Sequence, residues 1–523
     1  MNINENKVNN SSDTVTISRA EYEHLIHENE WLREQLLNFK KKVFGSSSEK
    51  TDEEVYEQMS LLFNEAEMTV DETEDDAPVT EVKGHTRRRS GSIKDVVPEG
   101  MKVVEIYHDL PAEQLHCPQC GNKMEIIGTE HRDSLVLPQA EPYIRRDIYY
   151  TYGCSNCRDN AESTPIIKTP KEPPLIKGSF ASPEAIAYIS VEKFVMCAPL
   201  YRQEMYWKRQ NILLSRQTMS NWMVRCSKDW LKPIYDELVR HLIKENDLLH
   251  ADETVLQVLH EEGKTPESKS YMWLYRTGAH ATKQIVIYQY ERGRRHEYPK
   301  EFLKEFKGYL QTDGYQGYIG LENIINVGCL AHARRYFVNA QNAMAKGKRS
   351  TTADQGVAYC DKLFEIERKI SKLTSEERKE HREQLARPVL DAMYAWAEQR
   401  NAAPKSNLGK ALTYLKNQKQ YLYNYLLDGR LELSNNRAER SIKPFVMARK
   451  NFLFANTPSG ADSSAVVFSI IETAKENNLD PYKYITWVLS TAPKISETTE
   501  NWAVECLPWK APETVAMTNV RDD

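Results

Sequence analysis

The sequence predicts a multidomain chain of mixed α+β and α/β structure. Its parts are an N-terminal coiled coil, a zinc ribbon-like domain, a helix-turn-helix region, and a mixed sheet with a long helical insertion. Three observations predict this. A heptad seam lies near the N-terminus, two CxxC knuckles stand between residues 117 and 157, and strand patterns between 247 and 328 give way to amphipathic helices. A chain of 523 residues has room for about three to five domains at roughly 100–200 residues each. Mean hydropathy is -0.64, and no run of about 18 apolar residues is present, so no membrane-crossing helix is expected. The polar start MNINENKVNN lacks the apolar stretch of a secretory signal. Nine cysteines are too few for a disulfide scaffold and suit a reducing cytoplasm. Net charge is -5, but residues 51–76 hold eleven acids and no Lys or Arg, so the remainder carries +6. Spread over so long a chain that excess is ordinary, and charge alone does not identify a partner.

Residues 18–45 read as the coiled coil. Tyr22, Leu25, Asn29, Leu32, Leu36, Phe39 and Val43 recur in alternating steps of three and four, an a/d seam. A single Asn at an a position suits a parallel pair of chains in register, hence a homodimer; a short amphipathic helix packed on its own chain is the alternative. Residues 46–100 read as a linker, acidic first and then basic at His85-Thr-Arg-Arg-Arg-Ser90. That tract suits either phosphate contact or plain solvation.

Residues 101–165 carry Cys117-Pro-Gln-Cys120-Gly and Cys154-Ser-Asn-Cys157. Four thiolates paired in this way suit a closed tetrahedral site for one structural Zn²⁺. The alternating segment Arg146–Tyr152 leads into the second knuckle as a strand. The other five cysteines, Cys329 among them, are expected to be buried or inert.

Residues 180–235 read as three helices, opened by Pro183, Pro199 and Ser215. Leu214, Met219, Trp222 and Met223 supply an apolar face to the third. In a helix-turn-helix that helix would enter a major groove led by Arg216, Gln217, Ser220 and Asn221. A plain helical bundle fits the same pattern.

Residues 245–340 hold five strand patterns: 247–259, 271–276, 284–289, 308–313 and 323–328. Three strands in a meander followed by further strands and helices is the order of a ribonuclease-H-like sheet. Asp252 lies in the first strand and Asp313 ends the fourth, which would set them side by side. Two metal ions about 3.5–4 Å apart need such neighbouring carboxylates. A third acid is expected from a helix, and Glu439 in Asn435-Asn-Arg-Ala-Glu-Arg440 offers it, flanked by Arg440, Lys443, Arg449 and Lys450. Solvated surface acids are the competing reading of all three. His332 and Arg335 either line the site or pack. Glu253 should point to the opposite face of its strand.

These segments together resemble the transposases of the insertion-sequence-66 family of bacterial mobile elements. The resemblance runs from about residue 20 to 490. It rests on Lys42–Lys50, the cysteine quartet, Asp252-Glu-Thr, Thr312-Asp-Gly-Tyr-Gln-Gly-Tyr318, Gly328-Cys-Leu-Ala-His-Ala-Arg-Arg335, the 435–440 motif, Arg449–Phe454 and Ile471–Tyr484. It implies a zipper, a zinc-binding domain, a homeodomain-like DNA-binding region and a DDE catalytic core at 245–340 and 430–460, with Asp252, Asp313 and Glu439 as catalytic, metal-holding acids. The implied cofactors are Mg²⁺ or Mn²⁺, two per site, besides the zinc. The implied partners are element-end and target DNA, with accessory proteins of the same element. The family usually has Asp before the paired Asn where this chain has Ser434, which favours Glu439 as third acid. Residues 341–429 are expected as a helical insertion, 461–492 as a short closing helical segment and 493–523 as a loose tail. The expected activity is cleavage and strand transfer of element ends in the cytoplasm, on the nucleoid. A DNA-binding protein with an inactive catalytic domain, or a nuclease that cuts without joining, are the alternatives.

Overall fold

The computed structural model describes residues 174–343 and 351–517, preceded by Pro142 and two short strands, Thr151–Gly153 and Ile166–Lys168. The chain divides into two compact units, residues 68–171 and the remainder. In the smaller unit the two short strands pair antiparallel, Tyr152 opposite Ile167, and the sequence between them carries Cys154 and Cys157. The coiled coil, the linker and the four cysteines expected to hold zinc all lie outside the described residues.

In the larger unit, helices Pro183–Phe194, Leu200–Arg209 and Arg216–Cys226 stand where the sequence placed them. Side-chain caps fix the starts of the first and third: Ser182 Oγ accepts from the Ala185 N–H and Ser215 Oγ from the Thr218 N–H, each at 3.1 Å, whereas the second follows Pro199 without a side-chain cap. Met219, Trp222 and Met223 are buried along one face of the third helix. That face is not the core of a separate bundle. It joins the same hydrophobic core as the sheet, and Phe194 meets Phe468 edge-on at 4.8 Å.

The sheet has five strands: β1 (Leu248–Gln257), β2 (Lys269–Thr277), β3 (Val286–Glu291), β4 (Gly308–Gln311) and β5 (Ile324–Val327). Its spatial order is β3-β2-β1-β4-β5. The first three strands form an antiparallel meander, whereas β4 runs parallel to β1, and β5 to β4. Central β1 is covered on both sides, so its apolar residues do not simply alternate. Strand β3 lies at an edge, and helix Pro458–Glu476 covers it. Thr473 Oγ1 accepts from the Val286 N–H at 3.0 Å and Ser469 Oγ from the Tyr288 N–H at 2.8 Å. Two helix hydroxyls thus satisfy backbone donors that an edge strand leaves open. The expected short closing segment is therefore a core element.

The helical insertion builds a second core with Leu248, Val327 and Phe337. Arg382 of the insertion is fully buried. Its guanidinium is bidentate on Glu367 at 2.8 and 2.7 Å and donates to the carbonyls of Tyr425, Asp428 and Leu431 at 3.1, 2.8 and 2.8 Å.

The loose tail expected at 493–523 is not what the structure holds. Residues 493–517 are folded: Cys506 and Leu507 are fully buried and Val515 nearly so. Tyr484 OH donates to the Cys506 carbonyl at 2.7 Å, and Trp502 and Trp509 pack on Trp230 and His241. These apolar residues are spaced too irregularly to form a helical or strand pattern, yet they join the main hydrophobic core.

Candidate active site

The parallel register places the first two acids. Leu248 pairs with Tyr309, Leu249 with Leu310 and His250 with Gln311, a constant offset of 61 residues. The same offset carried two residues on sets Asp252 beside Asp313. Asp313 follows β4 in a turn: its Oδ1 accepts from the Tyr315 N–H at 2.8 Å and its carbonyl accepts from Tyr414 OH at 2.9 Å. Gly314 makes that turn at φ +96°, where a Cβ would lie 2.7 Å from the Gln418 side chain.

The third acid arrives on helix Asn436–Phe452, and Asn435 fastens that helix to β1. Its Nδ2 donates to the Ala251 carbonyl at 2.9 Å, and its Oδ1 is 3.1 Å from His250 Nδ1. Because the amide oxygen faces it, His250 Nδ1 carries the proton. The Asn435 N–H donates to Cys329 Sγ at 3.1 Å. Glu439 stands in the first turn of the helix, its N–H bonded to the Asn435 carbonyl at 3.2 Å. Two groups of helix Leu330–Asn342 reach Glu439: Arg335 Nη2 at 3.5 Å on Oε2 and His332 Nδ1 at 3.6 Å from Oε1.

Asp252 feels the charges of the neighbouring acids. Burial first, then the charges of Glu253, Asp313 and Glu439, hold Asp252 well above the ordinary carboxylate range. Glu253 is pushed up to about 7 by burial and then by Asp313. It faces away from Asp252, held by Arg294 Nη2 at 2.5 Å and Tyr318 OH at 2.5 Å. Burial pushes His250 down to about 4 and keeps it neutral, and it also lowers His332. Burial pushes the Cys329 thiol up to about 12. Glu439 Oε1 is buried without a hydrogen bond. Asp252 is buried, whereas Asp313 and Glu439 are half-buried; among the described residues the ligand atoms that lie within 4.8 Å of one another belong to Cys329, His332 and Glu439.

The candidate DNA contacts divide. Arg216, Gln217 and Asn221 are exposed at the head of their helix, with Ser220 half-buried; Arg216 pairs with Glu204 at 3.9 Å and Gln217 with Asn221 at 2.9 Å. Arg440 is exposed, and Lys443 and Lys450 are half-buried. Arg449 is different: it is only 9% exposed, and burial pushes it down to about 10. It sits three, four and seven residues after Val446, Phe445 and Ile442, all buried on that helix face, so it does not form part of an exposed phosphate-contact surface. Sequence reasoning missed Cys329, His250 and Asn435 as parts of the site. Cys329, three residues before His332, had a legible signal in its helical spacing.

Residues 178–463 match the family model described as Transposase IS66 family, and residues 469–509 match IS66 C-terminal element. Residues 31–106 match Transposase C of IS166 homeodomain, a span N-terminal to the three helices in which the sequence placed a homeodomain-like region. Two proteins of Sinorhizobium fredii, both named only as uncharacterized, are similar along most of their length. Protein y4jD is 30% identical over 412 residues, 76% of this chain and 78% of its own. Protein y4hP is 27% identical over 502 residues, 91% of this chain and 87% of its own. Among the described residues no helix is long and apolar enough to cross a membrane.

Proposed function

The chain belongs to the IS66 transposase family, and from that premise we propose that it cleaves and joins insertion-sequence DNA ends by two-metal phosphoryl transfer. The register that brings Asp252 beside Asp313, together with the influence of the Glu439 charge on Asp252, supports the reading. The strand order, with β4 and β5 parallel beside an antiparallel meander, supports a ribonuclease-H-like catalytic core. The three acids would hold Mg²⁺ or Mn²⁺, two per site. Bound there, the cations supply an activated water and offset charge on the leaving 3′ oxygen.

The chain's own groups orient this site. Asn435 fixes the Glu439 helix against β1, and Arg335 steadies the Glu439 oxygen on its far side. Glu253 is occupied by Arg294 and Tyr318 and takes no part in holding a cation. Arg440 and Lys443 follow Glu439 on the same helix and are candidates for backbone phosphates, with Lys450 nearly two turns beyond Lys443 as a further one. Arg216, Gln217, Ser220 and Asn221 are the candidates for duplex contact. One structural Zn²⁺ at Cys117, Cys120, Cys154 and Cys157, a zipper homodimer through Tyr22–Val43, accessory proteins of the same element and a place on the nucleoid complete the proposal.

The test is incubation of the full chain with its own element ends and Mg²⁺ or Mn²⁺. Nicking at the terminus followed by joining to target DNA is expected. Cutting without joining would reduce the protein to a nuclease, and binding without either reaction would make it a DNA-binding relative only.

A further inference from the structure

Cys329, His332 and Glu439 bring a thiol, an imidazole nitrogen and a carboxylate oxygen within 4.8 Å of one another. Cys329 is the N-cap of helix Leu330–Asn342 and His332 is three residues on, so both project from one helix end. Glu439 comes from the first turn of the facing helix. His332 Nδ1 and Glu439 Oε1 stand 3.6 Å apart. Both atoms are buried and neither has a hydrogen-bond partner among the described residues. That distance is too long for an N–H···O bond. Two polar atoms desolvated in this way cost free energy unless something between them satisfies both. The Asn435 N–H donates to the sulfur at 3.1 Å, and a cation bound there would displace the thiol proton that burial otherwise retains. Arg335 occupies only Oε2 of Glu439 and leaves Oε1 open.

We propose that Cys329, His332 and Glu439 form a three-ligand site for a borderline divalent cation of the zinc class, distinct from the carboxylate site of Asp252 and Asp313 but sharing Glu439 with it. A sulfur, a nitrogen and an oxygen suit Zn²⁺ or Co²⁺, whereas Mg²⁺ favours oxygen ligands alone. Three protein ligands leave a fourth position open for water or a DNA oxygen. An ion held here draws Glu439 away from the hard cations, so zinc-class metals would compete with Mg²⁺-supported cleavage. The competition rests on the catalytic reading above; the binding does not.

Co²⁺ is the probe, because a thiolate ligand gives it a charge-transfer absorption. The full chain is compared with its Cys329→Ser and His332→Phe variants by equilibrium dialysis and absorption, with circular dichroism to show that the fold persists. Metal at the separate cysteine quartet is common to all three and cancels. The parent should bind one more Co²⁺ than either variant, Cys329→Ser should lose the part of the thiolate absorption that exceeds the quartet's, and Asp252→Asn should keep both. Should one variant unfold, the other decides. Equal cobalt stoichiometry in parent and variants overturns the site, as does an extra ion lost in Asp252→Asn but kept in Cys329→Ser. If the extra ion is present while Mg²⁺-supported cleavage is absent, the metal site stands and the transposase chemistry falls.

Discussion

Asn435 is fastened to Ala251, the residue before Asp252, by a hydrogen bond of 2.9 Å from its Nδ2 to the Ala251 carbonyl. One buried amide therefore sets the distance between the strand that carries the first acid and the helix that carries the third. Ser434 stands beside it, but the described anchoring contacts belong to Asn435.

Asn435→Ala should then cost roughly 1–3 kcal/mol, because His250 and the Ala251 carbonyl would lose buried partners. Cleavage should fall while DNA binding persists. Thermal melting and a gel-shift assay run together check this; a variant with an unchanged melting temperature and full cleavage contradicts the anchoring role.

Arg382→Leu should destabilise the insertion by about 3–5 kcal/mol, since it leaves Glu367 without its buried partner and three carbonyls without a donor. Pairing it with Glu367→Leu should recover part of the loss. Urea unfolding of the single and double variants measures the difference, and a double variant weaker than the single one would oppose the account.

The acid cluster makes a signed prediction for pH. Asp252 and Glu253 have folded-state pKa values raised above their ordinary ones, Glu253 to about 7. The folded chain thus binds more protons than the unfolded chain between the ordinary carboxylate range and the folded values. The cluster's contribution is fully present below that range and is lost as pH rises through the folded values. Metal-free protein should melt lower at pH 8 than at pH 5.5, and Mg²⁺ should restore part of the difference at pH 8. In Asp252→Asn both the pH dependence and the Mg²⁺ effect should shrink. Melting curves that keep the full pH dependence in Asp252→Asn would assign it elsewhere.

Arg216→Ala and Asn221→Ala should weaken binding to element-end duplex without changing the rate at saturating DNA. A base-reading contact is worth about 1–3 kcal/mol. Fluorescence anisotropy at two salt concentrations separates a phosphate contact, which reduces the salt slope, from a base contact, which does not. Unchanged affinity in both variants would return these helices to a packing role.

Much of this site was legible because strand register follows from simple spacing. The 61-residue interval from Asp252 to Asp313 is also the β1–β4 offset, and apolar strand patterns ending in an acid revealed it. The helix that carries Glu439 was legible from its pattern. Arg449 shows where attention to charge overrode periodicity: the Ile442, Phe445, Val446 stripe already placed it on the buried face. The fold of residues 493–517 was not legible, because scattered Trp, Cys and Leu residues carry no period and find their places only when the other helices are assembled. Cys329 looked like one more inert thiol; its spacing to His332 was in the sequence, but only the approach of a second helix brings Glu439 to the pair.

The central claim is that three acids distant in sequence act as one metal-holding site. The most direct measurement is single-turnover cleavage of element-end DNA in Mg²⁺ by the parent chain and by Asp252→Asn, Asp313→Asn and Glu439→Gln, each first shown to bind that DNA. The account predicts that all three variants bind DNA nearly as well as the parent and that none cleaves. A Glu439→Gln protein that cleaves at the parent rate would contradict it.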